Sequence, residues 1–221
     1  MAERDWYGVD DYISRKLASG DEALDAALAA NAAAGLPAID VSAPQGKLLG
    51  LYARMIGARH ILEIGTLGGY STICLARALP ADGRLVTLEI DPHHAEVARS
   101  NIAHAGLADR VDIRVGPARR TLDAMRVAGE GPFDLVFIDA DKPSNPDYFA
   151  AALAMARSGT VIICDNVVRD GRVIDAQSTE PAIVGTRALF DILASDARVD
   201  ATAIQTVGSK GWDGFAIAIV K

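Results

Sequence analysis

The sequence predicts an α/β protein: a doubly wound, mainly parallel sheet that closes with an antiparallel hairpin and is preceded by helices. Three observations predict it. Five short, β-branched apolar runs at 60–64, 84–88, 111–115, 133–138 and 160–164 alternate with helical stretches, the pattern of parallel strands covered on both faces. The first run opens directly into a glycine-rich turn, as the first crossover of such sheets does. The last two runs, 200–207 and 214–220, are separated only by Gly-Ser-Lys-Gly-Trp-Asp, which reads as a hairpin turn.

The elements can be justified in order. A short helix is expected near 10–18. Residues 21–34 are rich in alanine and leucine and stop at Gly35 and Pro37, so a second helix ends there. Ser42 is an N-cap for a third, with Leu48, Leu49, Tyr52 and Ile56 on its buried face. The five strands follow with their intervening helices, then a helix over 181–193, then the hairpin. No internal repeat or low-complexity linker divides the chain. It is expected to be one domain, 1–221, in which a helical region (1–57) packs on a cofactor-binding core (58–221).

Composition narrows the function classes. At 221 residues, with 50% hydrophobic and 23% charged side chains, the chain can bury a sizeable core without staples. Acidic residues outnumber basic ones 29 to 22, for a formal charge of −7, a field that disfavours nucleic acid as a partner. The longest uncharged stretches, 26–39 and 64–76, are shorter than the roughly 18 to 20 apolar residues of a membrane span. The N-terminal residues Met-Ala-Glu-Arg-Asp-Trp-Tyr lack the apolar core of a secretory signal, so a cytoplasmic protein is expected. Cys74 and Cys164 each sit among apolar residues and read as reduced core thiols, not a disulfide.

The chemistry-bearing residues cluster at strand ends. Glu63-Ile64-Gly65-Thr66-Leu67-Gly68-Gly69-Tyr70-Ser71 brings backbone amides close to a ligand, but its glycine spacing departs from the dinucleotide fingerprint G-x-G-x-x-G. Glu63 beside the turn would oppose a pyrophosphate and could hold an ammonium group. The cofactor expected is therefore a nucleoside bearing an amino acid. Glu89, ending the second strand 24 residues after Gly65, is placed to accept hydrogen bonds from ribose hydroxyls. The fourth strand delivers Asp139-Ala140-Asp141-Lys142 and the fifth Asp165-Asn166, so both sets emerge at carboxyl ends of neighbouring strands. Two carboxylates and an amide oxygen are hard ligands suited to Mg²⁺ or a similar ion. The four histidines offer no zinc-like spacing.

With these residues in view, the chain resembles the Mg²⁺-dependent, S-adenosylmethionine-dependent O-methyltransferases related to catechol and caffeoyl-CoA O-methyltransferases, most of all their small bacterial members. The resemblance runs from Val41-Ser42-Ala43-Pro44-Gln45-Gly46 through Leu62–Thr66 and Phe137–Lys142 to Asp165-Asn166-Val167. It implies a Rossmann-like fold, a homodimer and a small phenolic acceptor. It also implies that Asp139, Asp165 and Asn166 hold Mg²⁺, or another divalent cation such as Mn²⁺ or Ca²⁺. Val41, Glu63, Gly65, Thr66, Gly69, Ser71, Glu89, Ala118, Asp139, Asp141 and Tyr148 would surround S-adenosylmethionine, and Lys142 matches the candidate general base. Two departures stand out: Val41 replaces a threonine of plant relatives, and Glu89 replaces an aspartate of some relatives. Trp6, Tyr7, Tyr148 and Trp212 are candidate walls for a flat acceptor.

Three other readings compete. A tRNA wobble hydroxyuridine acceptor would keep the chemistry, with Arg119-Arg120 and Arg169/Arg172 as its basic patch; the net charge counts against it. A nicotinamide oxidoreductase conflicts with the glycine spacing. A non-catalytic ligand-binding module conflicts with the complete Asp139, Asp165, Asn166 and Lys142 set.

Overall fold

The computed structural model describes residues 5–221; the expectation drawn from the first four residues lies outside them. Asp5 caps the first helix, α1 (Trp6–Leu17), by accepting the Gly8 amide at 2.7 Å, which starts it earlier than the apolar pattern indicates. Next come α2 (Glu22–Ala33), capped by Asp21, and α3 (Ala43–Met55), capped by Ser42. The core follows as β1 (His60–Ile64), α4 (Tyr70–Ala76), β2 (Arg84–Glu89), α5 (Pro92–His104), β3 (Val111–Val115), α6 (Ala118–Val127) and β4 (Phe133–Ile138). It ends with α7 (Asn145–Ala154), β5 (Ala156–Asp165), α8 (Pro181–Ser195), β6 (Val199–Gly208) and β7 (Gly211–Val220).

The seven strands form one sheet in the order β3-β2-β1-β4-β5-β7-β6. The first five are parallel, and β7 runs antiparallel to both β5 and β6. This is the doubly wound sheet with a terminal hairpin that the alternation of runs predicts. Besides the start of α1, two boundaries differ most from the sequence reading. β5 begins at Ala156, because Ala156 still pairs with Phe133 across a register shift. The hairpin turn shrinks to Ser209-Lys210, since Trp212 and Asp213 pair with Val207 and Thr206.

Strand alternation splits the core into two layers. Leu62, Ile64, Val136, Ile138, Ile162 and Cys164 pack toward Leu122 of α6, Phe149 of α7 and Leu189 of α8. Ile61, Leu85, Leu135, Phe137, Val161 and Ile163 pack toward Ala27 of α2, Leu49 and Ala53 of α3, Ile73 of α4 and Ile102 of α5. The second and third helices thus complete one face of the sheet. Both cysteines are unbridged, Cys164 buried and Cys74 half-buried, and burial pushes both thiols up to about 12. No helix among the described residues is long and apolar enough to cross a membrane.

Candidate active site

A cleft of about 830 Å³ opens along the carboxyl ends of β2, β1, β4 and β5, where open α/β sheets bind ligands. Its floor is the turn between β1 and α4. Gly65 has φ +102°, and a Cβ there would stand 2.2 Å from the carbonyl oxygen of Asp139; only glycine permits β1 to leave the sheet this close to β4. Gly69 caps α4 in the left-handed region, with φ +89°.

Two carboxylates brace this turn. Glu89 accepts the amides of Thr66 (3.2 Å) and Leu67 (2.8 Å) on one oxygen and that of Asp91 (2.9 Å) on the other. It faces the cleft with acceptor capacity left over, because a carboxylate offers about four lone-pair sites. Glu63 is fully buried and accepts the hydroxyls of Ser71 (2.6 Å), Thr72 and Thr87 (2.7 Å). Desolvation pushes its carboxyl up to about 7, against the lowering effect of those hydroxyls.

Toward the hairpin side lie the second pair of carboxylates. Lys142 Nζ stands 2.7 Å from Asp139 Oδ1, and Gln45 Nε2 donates to Asp165 Oδ2 at 2.6 Å. Asp165 is 4% exposed. Burial raises its pKa most, and the charge of Asp139 raises it further. Asn166 beside it takes a left-handed backbone, φ +58°, a conformation asparagine tolerates better than most residues. Asp141 accepts the Tyr148 hydroxyl and the Ser144 hydroxyl (2.5 Å); burial, followed by that bond to Asp141, pushes the tyrosine up to about 12.

The structure brings Val41, Gly65, Thr66, Ser71, Glu89, Ala118, Asp139, Asp141, Lys142, Tyr148, Asp165 and Asn166 to this one cleft. It leaves Glu63 and Gly69 out of the lining. Glu63 follows Ile61 by two residues and so points to the same sheet face, under α4; the cleft reaches it only through Ser71, which donates to it. In this structure Glu63 stands directly behind Ser71. Of the four aromatic candidates, only Tyr148 lines the cleft. Trp6 lies on α1, and so does Tyr7, whereas Trp212 lies over Gly171 and donates to Gln205 at 3.0 Å.

Sequence reasoning quoted Gln45 without giving it a role. Ser42-x-x-Gln45 has the spacing of a capping box, and the Gln45 amide does reach Ser42 Oγ at 3.4 Å. Its side chain instead bonds a carboxylate 120 residues away, which local spacing cannot announce. Arg169 and Lys210 also line the cleft and were not assigned to it.

Fold and site together define a nucleotide-cofactor enzyme of the doubly wound α/β type with an acidic centre at adjacent strand ends. The O-methyltransferase family profile matches residues 16–216. The chain is 54% identical over 213 residues to a catechol O-methyltransferase of Niastella koreensis, covering 96% of each protein. It is 54% identical to another of Mycobacterium tuberculosis, over 96% of this chain and 95% of that one. An O-methyltransferase of Bacillus cereus solved in complex with SAH superposes with a TM-score of 0.96 at 55% identity, covering 98% of both chains. One from Streptomyces achromogenes, involved in tomaymycin synthesis and solved with SAM, gives 0.96 at 50% identity, over 100% of this chain and 99% of that one. The chain belongs to the S-adenosylmethionine-dependent O-methyltransferase family.

Proposed function

We propose that the protein transfers the methyl group of S-adenosylmethionine to one hydroxyl of a small catechol-like or hydroxycinnamoyl-type phenol, with a divalent cation held by Asp139, Asp165 and Asn166. The observation that carries this reading is the pair of half-buried Asp139 and buried Asp165, crowded by like charge and met by Lys142 on one and by Gln45 and the Asn166 amide on the other, in the same cleft as the glycine turn. Among the described residues no cluster of three histidine, cysteine or acidic side chains is set to hold a metal. The set at issue is two carboxylates plus an amide oxygen, the hard-oxygen chemistry of Mg²⁺. Bound there, Mg²⁺ would supply Lewis acidity that lowers the pKa of a phenol from about 10.

The chain's own residues do the rest. With its own proton displaced by a bound dication, Lys142 Nζ is the atom placed to take the phenolic proton and, once protonated again, to balance the phenolate. Glu89 would hold the ribose hydroxyls, and Thr66 and Ser71 would flank the amino-acid portion. Holding sulfur, methyl carbon and oxygen in line can contribute roughly 7 to 11 kcal/mol. The catechol activity named for the Niastella and Mycobacterium relatives supports the acceptor class.

Nucleic acid is not the acceptor on this reading, because the net charge is −7 and two of the four arginines of the expected basic patch are paired: Arg119 with Asp147 at 2.6 Å and Arg172 with Glu180 at 2.5 Å. A homodimer and a cytoplasmic location belong to the same proposal. Exposed Trp6, Tyr7, Val9, Tyr12, Ile13 and Leu17 on α1 support the first, and two unbridged cysteines support the second.

The test is S-adenosylhomocysteine release with catechols, caffeoyl esters and hydroxyuridine-containing tRNA, each with Mg²⁺ and with excess EDTA. Turnover of a catechol that EDTA abolishes is expected. Turnover that persists in EDTA, or occurs on tRNA alone, overturns the proposal.

A further inference from the structure

The cleft changes sign along its length. In sheet order, β2 contributes Glu89, β4 contributes Asp139 and Asp141 with Lys142 paired to the former, and β5 contributes Asp165. Beyond them, on the side where β7 adds to the sheet, the lining residues are Arg169, from the loop after β5, and Lys210, from the β6–β7 turn. The cofactor half is acidic, and the end left for an acceptor carries two cations, with Asp40 beside the lysine.

Arg169 is held for contact with something other than this chain. The Asp213 carboxylate anchors its backbone by accepting the amides of Val168 and Arg169, each at 3.0 Å. The neighbouring Asp170 amide donates to the Trp212 carbonyl at 3.1 Å. Arg169 itself adopts φ +58°. Nearby arginines at 119 and 172 each meet a carboxylate, yet no carboxylate among the described residues pairs with the Arg169 guanidinium, and its Nε is buried with no hydrogen-bond partner. Lys210 is exposed; it donates to the Ala38 carbonyl at 3.3 Å and lies near enough to the Asp40 carboxylate to act on it by charge. The nearby Asp40 carboxylate already accepts from Asn31 at 2.9 Å.

We infer that Arg169 and Lys210 form an anion-recognition subsite at the acceptor end of the cleft, which selects a catechol carrying a carboxylate on the ring side away from its hydroxyls. This inference rests on the proposed catechol methylation and names its acceptor more narrowly. A guanidinium presents a rigid fork that matches a carboxylate with two parallel hydrogen bonds. A neutral acceptor leaves those donors unpaired as it excludes water, the arrangement that gives strong discrimination. With an overall charge of −7, the protein's general field does not attract an anion, so the local cations must do so.

The experiment compares kcat/KM for 3,4-dihydroxybenzoate and its methyl ester with the Mg²⁺-loaded enzyme, in wild type, Arg169→Gln, Arg169→Lys and Lys210→Gln. Wild type is expected to prefer the carboxylate by roughly tenfold or more, the range of a charged hydrogen-bonded pair. Arg169→Gln should remove most of that preference through KM, Arg169→Lys should restore part of it, and Lys210→Gln should lower it about threefold. A wild-type ratio near one, or an Arg169→Gln variant that loses both acceptors equally, overturns the inference while leaving the methyltransferase reading intact. If neither compound is turned over, the catechol reading fails. Calorimetric binding of 3,4-dihydroxybenzoate then decides the subsite: weaker binding to Arg169→Gln supports it, and equal binding overturns it.

Discussion

The two carboxylate pairs at the strand ends are built on opposite principles. Glu63 and Glu89, at the β1 and β2 ends, are satisfied by fixed neutral donors: three hydroxyls for one, three backbone amides for the other. Asp139 and Asp165, at the β4 and β5 ends, are met by the termini of two longer side chains, Lys142 and Gln45, with the Asn166 amide as a further donor to Asp165. Backbone amides, and the short hydroxyls of α4 and β2, hold one shape whether or not a ligand is present. A lysine and a glutamine can swing away and yield their positions. The first pair therefore suits a permanent cradle, and the second suits a centre whose positive partner is exchanged.

The sharpest break of that comparison is Asp165→Asn. It removes one charge from the exchangeable pair and should lower kcat/KM roughly a thousandfold or more, because several kcal/mol of charge stabilisation are lost. Titration of S-adenosylhomocysteine should show cofactor affinity within about threefold of wild type. A comparable loss of both would mean the two halves are one unit.

Glu89→Gln attacks the fixed cradle. The amides of Thr66, Leu67 and Asp91 lose a charged acceptor, and hydrogen bonds to charged groups contribute about 1.5 to 3 kcal/mol. Cofactor affinity should fall roughly ten- to a hundredfold, while Mn²⁺ binding, followed by electron paramagnetic resonance, should move much less. A larger effect on Mn²⁺ than on cofactor would reverse the assignment of the two halves.

The smallest effect is in pH dependence. The Glu63 carboxyl is raised from 4.5 to about 7 by burial, so the folded state holds its proton more tightly than the unfolded state. Its contribution to stability is present in full below about 4.5 and is lost as pH rises through about 7. Glu63→Gln cannot titrate, so urea denaturation across this window should show a flatter loss of stability with rising pH than wild type. An unchanged slope would show that the three hydroxyls hold Glu63 ionised throughout.

How much of this was legible beforehand follows from the range of the interactions. The strands at 60–64, 111–115 and 133–138 read correctly to the residue, because a run of apolar β-branched side chains bounded by turn residues is a local signal. The cluster of Asp139, Asp141, Lys142, Asp165 and Asn166 was legible because each lies at the end of such a run, and doubly wound sheets gather those ends. The start of α1 was not, since the Asp5 cap acts before the apolar pattern begins. For Glu63 the local pattern left the direction of the side chain open; strand alternation turns it under α4, where it holds Ser71 of the cleft.

The sequence by itself determined the sheet, its winding, the glycine turn and the acidic strand ends, all of which arise from periodicity and spacing within some thirty residues. Only the tertiary structure decided which groups satisfy those acids and which cations face the acceptor end. Gln45 meets Asp165 because both project to the sheet face that α3 covers. Arg169 and Lys210 reach one cleft because β7 inserts between β5 and β6. Such meetings depend on how distant segments pack, and hydrogen-bond and charge partners chosen across 40 to 120 residues leave no periodic mark in the chain.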